Sequence, residues 1–151
     1  MKDYSILKTQ ISSLLDDVQY LQASLANIVA LLYHEIEDVS WVGFYLLQNN
    51  ELVLNVFQGL PACEAIALNC GVCGKAFSLD QTMNIPDVHQ FKDHIACDSG
   101  SNSELVIPLH KENRVIGVLD IDSYSFNRFD AELVKTLEEI IKIIEEKLFS
   151  K

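Results

Sequence analysis

Three short segments place thiols in settings suited to exchange chemistry: Gly59-Leu60-Pro61-Ala62-Cys63, Gly71-Val72-Cys73-Gly74 and His94-Ile95-Ala96-Cys97-Asp98. A single cysteine more often fills a core than attacks an electrophile, but the local contexts argue otherwise. Cys73 stands between glycines at an expected helix start, where partial positive charge lowers a thiol pKa, and Cys97 follows a polar loop rather than a strand pattern. The three read as an exposed, reactive thiol relay. Cys70 adds a Cys-x-x-Cys with Cys73, which is half of a zinc site at most. No second pair or regularly spaced histidine completes it, and Cys63 and Cys97 fall at irregular offsets, so no metal is expected.

The second constellation is acidic. Asp120 and Asp122 lie two apart in Gly117-Val118-Leu119-Asp120-Ile121-Asp122, and the period of a strand puts both on one face. A solvated strand edge is the plain reading of such charges. The expected hairpin weakens it, because pairing returns Glu104 beside the 120s. Three carboxylates in one pocket raise at least one pKa and hold a proton near neutral pH, as a general acid requires. Trp41 and Tyr45, four apart on a strand, share a face, with Gly43 between them leaving room for something to approach. They are either packed core or an aromatic wall around a small apolar or sulfonium-like group. His89 and His94 flank the Cys97 segment without metal spacing and read as loop-ordering residues; His34 and His110 read as peripheral.

The elements that must carry these side chains follow from pattern. Residues 3–37 show apolar positions at helical spacing, broken by polar residues at 16–19 that divide two helices. Trp41 to Leu47 and Leu52 to Phe57 flank Asn49-Asn50, a hairpin turn tolerant of positive φ. A second hairpin runs from Leu105 to His110 and from Val115 to Ile121 around a turn at 111–113. Between the hairpins, a short helix is expected at Lys75 to Leu79 and an edge strand at Ile85-Pro86. Asp130 should cap the last helix, with Phe129 stapled to Val134. The sum is an α+β fold: a central antiparallel sheet with N- and C-terminal helices on one face and, on the other, a ligand pocket covered by the loops of 59–103.

Bulk character sets limits. With 151 residues, 49% of them hydrophobic, and only three prolines and six glycines, one domain over 1–151 is expected, without repeat or linker. A formal charge of -11 repels phosphate backbones and anionic lipid, which excludes nucleic acid as a partner. No apolar stretch approaches the roughly 20 residues of a membrane span. Four cysteines without a signal peptide point to a reducing cytoplasm in which disulfides are transient.

Over nearly its whole length the chain resembles the free methionine-(R)-sulfoxide reductases, a catalytic branch of the GAF domains. The resemblance rests on Leu25-Ala26-Asn27, Ala30-Leu31-Leu32-Tyr33, Trp41-Val42-Gly43-Phe44-Tyr45-Leu46-Leu47, Phe57-Gln58-Gly59, Ala62-Cys63 and Gly71-Val72-Cys73-Gly74. It continues through Asp87-Val88-His89, His94-Ile95-Ala96-Cys97-Asp98, Ser101-Asn102-Ser103-Glu104, Ile116 to Ser123 and Arg128-Phe129. It implies a thiol reductase, active in repair under oxidative stress, that acts on free methionine-(R)-sulfoxide without metal or organic cofactor. Cys97 would be the nucleophile, Cys63 the resolving thiol and Cys73 a second relay thiol. Glu104, Asp120 and Asp122 would contact the substrate's polar groups and assist protonation of its oxygen, and Trp41 and Tyr45 would line the pocket. A thioredoxin-like donor would reduce the resulting disulfide, and the amphipathic terminal helices would permit a homodimer. Cys70 departs from the family pattern and is read as incidental. The competing readings are a GAF small-molecule sensor without catalysis and a sensor of oxidation through the thiols themselves.

Overall fold

The computed structural model describes residues 3–17, 20–92 and 100–150. Two helices, α1 (Ser5–Leu14) and α2 (Leu21–Glu35), precede the hairpin of β1 (Trp41–Gln48) and β2 (Glu51–Gln58). Then come β3 (Ala65–Ala67), α3 (Gly71–Leu79), β4 (Met83–Ile85) and a 3₁₀ turn at Val88–Gln90. The second hairpin, β5 (Ser103–Lys111) and β6 (Arg114–Ser123), leads to α4 (Ala131–Leu148). The strands form one sheet in the order β3-β2-β1-β6-β5-β4, and every neighbouring pair is antiparallel.

Local chemistry explains the hairpins and the last helix. Asn49 and Asn50 have φ of 51° and 64°, and Glu112 and Asn113 have 53° and 64°. Two successive positive-φ residues make the two-residue turn whose twist matches that of the flanking strands. Asp130 caps α4 by accepting from the Leu133 N–H at 2.8 Å, which typically stabilises a helix start by about 1 kcal/mol.

Alternation along the strands divides the interior into two layers. Val42 and Phe44 of β1, Leu105, Ile107 and Leu109 of β5, and Leu119 and Ile121 of β6 pack with α1, α2 and α4 in one apolar cluster. The residues between them on β1, β5 and β6, Trp41, Tyr45, Val106 and Val118, pack with Val72, Cys73 and Ala76 of α3 in a second cluster. The pocket face therefore carries a helix as well as loops. That helix begins at Gly71, four residues before the expected Lys75, because Gly71 at φ 64° supplies the tight turn inside the element rather than ahead of it. Among the described residues, no helix is long and apolar enough to cross a membrane.

Candidate functional site

Strand register assembles the acidic set. Across β1, β6 and β5, one row reads Trp41, Asp122, Glu104 and the next reads Gly43, Asp120, Val106. Glu104 is 7% exposed, Asp120 5% and Asp122 8%, which rules out the solvated-edge reading. α3 brings Cys73 against them: its sulfur and carboxylate oxygens of Glu104 and Asp120 lie within 4.8 Å of one another. The helix can come this close because Gly74 is pressed against the preceding turn, where a Cβ would stand 2.8 Å from the Ala67 carbonyl oxygen. Burial, and then the charges of Asp122 and Glu104, with which it also shares hydrogen bonds, push the Asp120 carboxyl well above its ordinary range. Its Oδ1 is buried with no hydrogen-bond partner among the described residues, an arrangement that a donor on a ligand would relieve.

Cys73 departs from expectation. The residue is 4% exposed, and its pKa is raised well above the usual thiol value by burial and then by Asp120, Glu104 and Asp122. The helix terminus does favour a thiolate, but desolvation and three acids outweigh one partial charge. Cys73 is thus a protonated, buried thiol rather than an exposed, activated one. Cys63 is half-buried and disulfide-bonded, whereas Cys70 and Cys73 are free. Cys97 and His94 lie outside the described residues.

Trp41 and Tyr45 share the pocket face, each 2% exposed, with ring centroids 6.0 Å apart. The space above Gly43 is filled from within the protein. A Cβ there would overlap the Trp41 ring and lie 2.7 Å from the Phe57 Cβ, so the glycine admits the indole, which stacks on Phe57 at 5.4 Å. The aromatic pair also fixes the Cys63 loop. Trp41 Nε1 donates to the Leu60 carbonyl at 3.0 Å, and the Tyr45 hydroxyl donates to the Cys63 carbonyl at 2.9 Å. Burial and the nearby acids raise the Tyr45 phenol, so it keeps the proton it donates.

A model of the GAF domain family matches residues 20–145. The free methionine-R-sulfoxide reductase of Escherichia coli is 46% identical over 145 residues, covering 96% of this chain and 88% of that protein. The fRMsr of Staphylococcus aureus, solved in reduced form and in complex with substrate, superposes with TM-scores of 0.94 and 0.93 at 49% identity, covering 98% of this chain and 96% and 97% of those chains. The free methionine-R-sulfoxide reductase from Neisseria meningitidis, solved in complex with its substrate, gives a TM-score of 0.91 at 41% identity, covering 97% of this chain and 91% of that one. The chain belongs to the free methionine-(R)-sulfoxide reductase family of GAF domains.

Among the described residues of this GAF domain, Cys73, Glu104 and Asp120 are the cluster whose donor atoms could close around a cation; Cys70, exposed at the N-cap of α3, is not part of it. His89 matches its loop-ordering reading, bonding Asp87 through both its backbone N–H and Nδ1, at 3.0 and 2.8 Å. His110 does not match its peripheral reading. Its ring joins Asp80 at 2.6 Å on one nitrogen and Glu145 at 2.7 Å on the other, tying the end of α3 to α4. Nothing local in the sequence marks that bridge, since its three residues are far apart in the chain.

Proposed function

We propose that this protein reduces free methionine-(R)-sulfoxide to methionine, with Cys97 as nucleophile, Cys63 as resolving thiol, Cys73 as relay thiol and Asp120 as proton donor. The observation that carries the reading is a carboxylic acid whose pKa is pushed up by burial and by its acidic neighbours, set beside a free thiol and near a loop whose cysteine is disulfide-bonded. The family relatives solved with substrate support a reductase over a sensor.

The Cys97 thiolate adds to the sulfoxide sulfur while Asp120 protonates the oxygen. Methionine is released and the sulfoxide oxygen stays on Cys97, which is left as a sulfenic acid. The Cys63 thiol displaces its hydroxyl as the one water of the reaction, forming a disulfide. The disulfide at Cys63, with Cys70 and Cys73 both free, supports that pairing. Two thiols thus become one disulfide for each sulfoxide reduced, and a thioredoxin-like dithiol restores them by exchange. Glu104 and Asp122 supply negative charge for the substrate's ammonium, while Trp41 and Tyr45 close the apolar side.

The test is incubation of reduced protein with racemic free methionine sulfoxide and dithiothreitol, followed by chiral chromatography. The R epimer alone is consumed, and Cys97→Ser yields no methionine. Consumption of both epimers, or stoichiometric methionine from the variant, sinks the assignment.

A further inference from the structure

Cys70 and Cys73 occupy the N-cap and third positions of α3. The Gly74 N–H donates to the Cys70 carbonyl at 3.0 Å, closing the first helical turn. Cα atoms three residues apart across such a turn are separated by about 5 Å, inside the roughly 4.4–6.8 Å that a disulfide spans. An N-cap side chain also naturally reaches toward the third residue of its helix. The turn is held on its other side as well, by Cys70 N–H to the Ala67 carbonyl and Asn69 N–H to the Gly74 carbonyl, both at 3.2 Å. Its two thiols are both free, one exposed and one buried in the pocket. Cys63, already oxidised, packs against the cluster that contains Cys73.

We propose that Cys70 is a fourth relay thiol of this protein, forming a disulfide with Cys73 and so carrying oxidation from the buried pocket to the surface. The proposal rests on the reductase reading. Once Asp120 has given its proton to the sulfoxide oxygen, its carboxylate accepts the proton of Cys73. The Cys73 thiolate attacks Cys63, the existing S–S bond breaks, and the displaced thiolate takes a proton from solvent. The Cys70 thiolate then attacks the Cys73 sulfur, and Cys63 leaves and takes up the proton Cys70 released. No electrons are lost or gained in these exchanges; the disulfide moves to α3, where an external dithiol meets the exposed Cys70.

Electron counting gives the test. A chain with four thiols holds the electrons for two sulfoxide reductions, provided all four are connected. Fully reduced protein, freed of reductant and given excess methionine-(R)-sulfoxide, should release two methionines per subunit, with Cys70–Cys73 as the second disulfide in non-reducing peptide maps. Counting only methionine not matched by a dimedone-trapped sulfenic acid on Cys97, Cys70→Ser should release one, a two-fold fall. Serine is itself a favoured N-cap, so the helix start is kept. One methionine from both proteins overturns the relay and leaves the reductase standing. None from either overturns the reductase reading and the relay with it. Two methionines with Cys70 bonded to any residue other than Cys73 also overturn the relay.

Discussion

The two faces of one sheet differ more than their shared strands would suggest. On the helical face, α1, α2 and α4 bury a large apolar cluster that holds no charged side chain among the described residues. On the other, three carboxylates and a thiol are buried among aromatic and aliphatic side chains. Consecutive residues of β6 serve both: Leu119 and Ile121 face the helices, and Asp120 and Asp122 face the pocket. Burial and the charges of Asp122 and Glu104 disfavour ionisation of Asp120, and a fold that accepts this must draw its stability from elsewhere. The apolar layer supplies it, and chemistry is confined to the face that stabilises less.

The largest effect that would break this division is on turnover. Asp120→Asn should lower reduction of free methionine-(R)-sulfoxide by about 10²–10⁴-fold, because an amide bonds the oxygen but cannot protonate it. Normal steady-state turnover with the variant would make Asp120 a packing residue. One position away, Leu119→Ala should cost about 2–5 kcal/mol in denaturant unfolding through the cavity it leaves, with kcat per folded molecule unchanged. A large drop in kcat would mean that the faces are not independent.

A subtler test separates the acid's cost from its use. The folded pKa of Asp120 lies above its unfolded value, so its contribution to stability is fully present below the unfolded pKa and is lost as pH rises through the folded one. Each unit of difference corresponds to about 1.4 kcal/mol. Asp120→Asn should therefore raise Tm, and raise it more at pH 8 than at pH 4; a Tm gain independent of pH would contradict the electrostatic account. The smallest effect concerns the tie between the faces. Burial pulls the His110 pKa down, but hydrogen bonds to Asp80 and Glu145 and their charges outweigh it, so the net shift is upward. Its stabilisation is fully present below the unfolded value near about 6.5 and lost as pH rises through the folded one. His110→Gln should cost about 1–2 kcal/mol at pH 6 and less at pH 9, read from unfolding curves at the two pH values.

What the sequence revealed was whatever depended on neighbours in the chain. Asn49-Asn50 gave the first hairpin, Asp130 with Phe129 gave the start of α4, and strand parity with hairpin return placed Glu104 beside Asp120 and Asp122. β3 escaped because three residues, with only Ile66 buried, carry no period. Its pairing with β2 makes it a strand. Cys73 was misjudged for the same reason: the helix start is local and visible, whereas the acids that set its proton affinity arrive from β5 and β6. Gly43 signalled a space correctly but not its occupant, since the Trp41 indole folds back over its own strand.

The sheet order has a further consequence at its margins. Both outermost strands, β3 and β4, are three residues long, while the strands inside them have eight to ten. A long open edge is a template on which another chain can add a strand, and short edge strands blunt it. Pro86 immediately follows β4 and has no N–H with which to extend the ladder. With a net charge of -11 adding mutual repulsion between molecules, the chain is protected against fibrillar self-association at the edges where its sheet would otherwise continue.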